Sequence, residues 1–107
     1  MIAKTPIAPY YAVIFTSIRT LEDQAEYSEM SKKMIELGSK MEGFLGIESA
    51  RNELGITVSY WETLEDIKKW KQNSEHIMAQ HAGREKWYQT YKTRICKVER
   101  DYGFEKI

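Results

Sequence analysis

The sequence predicts one small α+β domain with its elements in the order β-α-β-β-α-β. Two observations carry this. Four short segments read as strands from period-two alternation or from β-branched and aromatic content, and apolar residues recur at steps of three and four in the stretches between the first and second and between the third and fourth. At 107 residues, 42% hydrophobic and 30% charged, the chain also fits one ordinary globular domain without an internal linker.

Pro6 and Pro9 punctuate residues 1–9, which read as an extended arm. The domain proper is expected over residues 10–101, followed by a loose tail, 102–107. Tyr10 to Ile18 (YYAVIFTSI) is rich in β-branched and aromatic residues and reads as the first strand. Thr20 offers an N-cap hydroxyl with Asp23 three residues on, opening a helix. Its apolar stripe is Tyr27, Met30, Met34, Leu37 and Met41, and it ends near Gly38 or Gly43. Phe44 to Arg51 and Ile56 to Trp61 read as strands joined by the turn Asn52 to Gly55, a β-hairpin.

Thr63 and Asp66 repeat the capping pattern and open a second helix with Leu64, Ile67 and Trp70 on one side. Asn73 and Ser74 are expected to interrupt it, so that a further helical piece runs through Ile77, Met78 and His81 toward Trp87. Thr90 to Glu99 alternates as the last strand. This order is the split βαβ, or ferredoxin-like, motif: a four-stranded antiparallel sheet with both helices on one face. The first strand is apolar on both alternations, Ala12 and Ile14 against Val13 and Phe15. A second subunit, sheet against sheet, is the expected cover for the other face, making a homodimer.

Composition excludes several functions. Sixteen basic and sixteen acidic residues cancel, so the excess that nucleic-acid binding requires is missing. Lys68, Lys69 and Lys71 lie among Glu62, Glu65 and Asp66 and read as a solvated helix face. No apolar run reaches the length of a bilayer span, and MIAKTPIAPYY lacks the apolar core of a signal peptide. The single cysteine, Cys96, suits a reducing compartment and reads as a small buried strand residue. A cytoplasmic protein is expected.

Phosphate-binding glycine loops, the G-x-S-x-G elbow, HExxH and paired cysteines at zinc spacing are all missing from the sequence. His76 and His81 are its only histidines, and their i, i+5 spacing sets them about 140° apart on a helix, so no metal site is expected. The chemistry-bearing residues concentrate in WKQNSEHIMAQHAGREKWYQTY, residues 70–91. Trp70, Trp87 and Tyr60 are candidate flat walls of a pocket for a small molecule between the second helix and the sheet. His76 and His81 are candidate proton carriers, and Arg84 a candidate anion partner. Against this stands the reading of the tryptophans as ordinary core and of Arg84 with Glu85 as solvated surface.

The strand YYAVIFTSIRT, the pair GFLGIESAR and ITVSYW, and the segment W-x(5)-H-x(4)-H-x-x-R together resemble the antibiotic biosynthesis monooxygenase-like family over residues 9–101. The resemblance implies a dimeric α/β barrel with a substrate pocket between helices and sheet in each subunit. It implies a cofactor-independent monooxygenase acting on a small aromatic or quinone-like compound. Trp70 would match the family's helix tryptophan and stack on substrate with Trp61, His76 or His81 would act as base, and Arg84 would steer the anion. No cofactor is then required. The alternative that the resemblance offers is haem binding and cleavage, with His81 or His76 near the position of an axial ligand. Those members use a first-strand asparagine, where this chain has Phe15, Thr16 and Ser17. A non-catalytic dimeric ligand-binding protein is the remaining reading.

Overall fold

A computed structural model describes residues 1–22 and 24–107. Of the expected cap pair, Asp23 lies outside the described residues, and Thr20, four positions before Gln24, donates its hydroxyl to the Lys86 carbonyl at 2.6 Å. The elements are β1 (Tyr10–Arg19), α1 (Gln24–Ser39), β2 (Phe44–Arg51), β3 (Leu54–Trp61), α2 (Leu64–Gln80), α3 (Gly83–Trp87) and β4 (Tyr88–Val98). The four strands form one open antiparallel sheet in the order β2-β3-β1-β4. This is the expected ferredoxin-like α+β architecture, with a short third helix added.

The hairpin is tighter than the sequence suggests. Leu54 and Gly55 already belong to β3, and Gly55 pairs with both Arg51 and Ser17. The second helix also differs from expectation. It runs unbroken through Asn73 and Ser74 as far as Gln80. Neither residue is a strong breaker, and Ser74 satisfies its hydroxyl within the helix by donating to the Lys71 carbonyl at 3.1 Å. The helix stops instead at His81, beyond which Ala82 adopts the left-handed conformation at φ 50°. Gly83 then lies directly against the Trp87 ring, where a Cβ would come within 2.3 Å of Cζ3.

Two junctions fix the helices on the sheet. Thr63 caps α2, its hydroxyl accepting from the Asp66 N–H at 3.0 Å and donating to the Asp66 carboxylate at 2.7 Å. That carboxylate fills the space beside Gly43, whose φ of +84° favours glycine. On α1 the expected stripe holds for Met30, which is buried, but Leu37 is 40% exposed. Its neighbour Gly38 takes the buried place because the Trp70 ring packs onto it. The innermost side chains are Trp61 and Trp87, both fully buried.

The sheet face away from the helices is partly covered by the chain's own ends. The Ala3 N–H donates to Glu48 Oε2 at 2.9 Å, and Tyr60 donates to Glu48 Oε1 at 2.7 Å. Tyr10 donates a short hydrogen bond to Asp101 and accepts one from Thr5 at 2.9 Å. Burial, and then the Glu48 hydrogen bond, push the Tyr60 phenol up to about 12. The Tyr60 hydrogen bond and then the Ala3 N–H hold the Glu48 carboxyl below the usual range. β4 is an edge strand on which Cys96 is exposed, unlike the buried strand residue the sequence suggests.

Candidate functional site

A cavity of about 520 Å³ lies between the sheet and the helices, walled by β1, β2, β3 and β4 on one side and by α1 and α2 on the other. That volume is in the range of small-ligand sites. Its apolar character follows from the register. Val13, Phe15, Ser59 and Trp61 sit at alternating positions on neighbouring strands and so point to the same face. From above, α1 contributes Met34 and Ile35 and α2 contributes Ile67, Trp70 and Met78.

One end of the cavity is aromatic. The Trp61 and Trp70 rings stack at 6.1 Å between centroids and 24° between planes, and Phe44 meets Trp61 edge-on at 5.4 Å. Trp61 Nε1 donates to Ser59 Oγ at 2.9 Å, which fixes the indole and satisfies its only donor. Gly38 lets Trp70 lie close against α1, since a Cβ there would approach Cη2 to 3.3 Å. Along the strands toward the other end, Phe15 packs on Tyr88 at 5.6 Å and on Tyr91 at 5.2 Å.

The other end is polar. Arg51, at the close of β2, donates a short hydrogen bond to the hydroxyl of the buried Ser17. The guanidinium lies over Gly55, where a Cβ would come within 2.2 Å of Cζ. No carboxylate pairs with Arg51 among the described residues. Lys71, another cation on the wall, is paired with Glu75 at 3.8 Å. Tyr88 packs edge-on to Tyr27 at 5.9 Å, and over the Tyr27 ring the Arg19 guanidinium sits at 3.5 Å. Burial, and next Tyr27, push the Tyr88 phenol far up, while Arg51 and Arg19 pull weakly the other way. Tyr88 therefore keeps its proton at neutral pH.

The sequence-predicted residues divide sharply. Trp70 and Trp61 line the cavity together. Tyr60 projects from the opposite face of the sheet, edge-on to Tyr10 at 5.8 Å. His76 is exposed and interacts with Gln80 along the helix at 3.1 Å. His81 lies beside Glu26 at 3.4 Å with its ring against Trp87, outside the cavity. Arg84 is exposed and donates to the Tyr91 hydroxyl at 3.1 Å. Trp87 is core, with its Nε1 buried and without a hydrogen-bond partner among the described residues.

Neither histidine lines the cavity, so the donor set there does not fit axial ligation of a haem iron. Among the described residues no cluster of three His, Cys, Asp or Glu side chains could hold a metal ion, and no helix is long and apolar enough to cross a membrane. The residues that sequence reasoning missed are Arg51, Ser17 and Gly55. Their signal was faint: an arginine ending one hairpin strand and a glycine opening the next, which sequence alone assigns to the turn.

Three comparisons bear on this site. A family model described as antibiotic biosynthesis monooxygenase matches residues 9–82. The uncharacterized protein YqjZ of Bacillus subtilis (strain 168) is 42% identical over 106 residues, spanning 97% of this chain and 92% of that one. Among solved structures, SnoaB of Streptomyces nogalater, described as a cofactor-independent oxygenase, superposes with a TM-score of 0.70 at 10% identity, covering 88% of this chain and 97% of its own. PA3566 of Pseudomonas aeruginosa does so with a TM-score of 0.67 at 16% identity, covering 91% of this chain and 99% of its own. At such identities the two structures speak for the fold alone.

Proposed function

The chain belongs to the antibiotic biosynthesis monooxygenase family, and on that premise we propose that it is a cofactor-independent monooxygenase acting on a small aromatic or quinone-like compound. The observation that carries this reading is the aromatic-walled cavity of about 520 Å³ beneath the helices. SnoaB, which shares the fold, is described as a cofactor-independent oxygenase.

The chemistry asks little of the protein. An anthrone-type ring that loses a proton becomes an electron-rich anion, able to pass electrons to dioxygen directly. Overall, one ring CH2 and one O2 give one ring carbonyl and one water. The protein binds the ring, stabilises its anion and keeps bulk water away. In this reading Trp70 and Trp61 form the aromatic wall, and Arg51 supplies the positive charge that favours the anion. His76, His81, Tyr60, Arg84 and Trp87 have no direct part in it.

A homodimer is proposed with it, the outer sheet faces packed together. Ile14 and Val58 are cross-strand partners on that face, only half-buried in a single chain, while Ile18 remains 39% exposed. A cytoplasmic location is proposed on the single cysteine. The test of the activity is oxygen consumption with dithranol-type anthrones. Uptake above the protein-free rate, with one O2 consumed per anthrone oxidised, is expected; uptake at the protein-free rate contradicts the reading.

A further inference from the structure

We infer that the polar end of the cavity is a carboxylate-binding subsite, and that the compound this protein takes is an aromatic acid whose carboxylate pairs with Arg51. The inference rests on the reading of the cavity as an aromatic-substrate site and narrows its substrate class.

Four features converge on Arg51. Its guanidinium is held in place from within the protein, by the hydroxyl of the fully buried Ser17 and by the bare backbone of Gly55 beneath it. It borders the cavity. It carries no carboxylate partner among the described residues, whereas Lys71 on the same wall has Glu75. Finally, Tyr91 is the cross-strand partner of Ser17 and borders the cavity with Tyr88, so aromatic side chains stand beside the cation.

A planar guanidinium with one N–H committed to Ser17 still offers several donors in a fixed plane. That geometry matches the two oxygens of a carboxylate better than a single phenolate oxygen. The aromatic cluster of Phe15, Tyr88 and Tyr91 adjoins this end and supplies faces for the ring. Gly55 and Trp61 are six positions apart on β3, about 20 Å at about 3.3 Å per residue, so the cavity has length for a fused-ring body beyond the acid group.

Calorimetric titration of the full chain with 2-naphthoate and with its neutral isostere 2-naphthamide tests this. The wild type is expected to bind the acid about tenfold more tightly than the amide, and added salt should weaken only the acid. Arg51→Gln should abolish the preference while still binding the amide, which also reports that the variant is folded, and Arg51→Lys should restore part of it. Equal binding of acid and amide by the wild type, or a preference surviving in Arg51→Gln, overturns the subsite and leaves the aromatic cavity standing. Failure of the wild type to bind either probe overturns both.

Discussion

Glu48 and Tyr60 illustrate how a residue that sequence marks as functional acquires another role once its strand face is known. Tyr60 reads from sequence as a flat pocket wall beside Trp70 and Trp87, yet it is adjacent to Trp61 and successive strand residues point to opposite faces, so only one of Tyr60 and Trp61 can reach the cavity. Tyr60 instead packs its half-buried ring on the outer face and pins Glu48, which also anchors the N-terminal arm through Ala3. Because the Glu48 carboxyl is held below its usual range, the stability it contributes is fully present above the ordinary glutamate pKa. That contribution fades as pH falls through the lowered value. Glu48→Gln is expected to cost about 1 kcal/mol at neutral pH, the worth of a typical net hydrogen bond. It should also flatten the loss of stability on acidification, as measured by urea titrations between about pH 6 and pH 3. An acid limb as steep as that of the wild type would contradict this. At the residue level, then, Trp61 and Trp70 were legible as aromatics of the cavity. Arg51 was not, because an arginine at the end of a hairpin strand carries no sequence mark of what lies beneath it.

At the scale of elements, the two threonine- and serine-bearing segments of α2 make a contrast. Thr63 precedes the helix with extended backbone at φ −139°, and its hydroxyl caps the Asp66 N–H, so Thr63→Ala should cost about 1 kcal/mol. Ser74 reads from sequence as a second cap, but it lies mid-helix with its hydroxyl folded back on the Lys71 carbonyl. Ser74→Ala should therefore be neutral or stabilise by a few tenths of a kcal/mol, alanine being the better helix former. Thermal unfolding of the two variants side by side separates the cases, and a loss at Ser74 comparable to that at Thr63 would argue for a break in the helix there. The strands, the hairpin and both main helices were readable because periodicity and caps are local. The helix end at His81 was less so, since it depends on a left-handed Ala82 and on the fit of Gly83 against Trp87, contacts that no local pattern announces.

At the scale of the molecule, a sheet with helices on one face leaves its other face to be covered. The arm and Asp101 cover the corner around Tyr10 and Glu48 and leave Ile14, Val58 and Ile18 for a partner. Light scattering should give a mass twice the 12.6 kDa of the chain; a monomer at micromolar concentration would contradict the sheet-to-sheet pairing. The architecture and the family were both legible in the sequence because they rest on element order and on strand motifs. The position of the cavity's polar end was not, because it arises where β1, β2, β3 and β4 come into register. The central claim is that chemistry takes place within this cavity, and the most direct measurement is anthrone-dependent oxygen uptake by the wild type and by Thr57→Trp. That substitution favours a strand and fills the cavity from its floor. Uptake by the wild type that falls to the protein-free rate in the folded variant is the predicted result; equal uptake by the two proteins, or none by either, would contradict it.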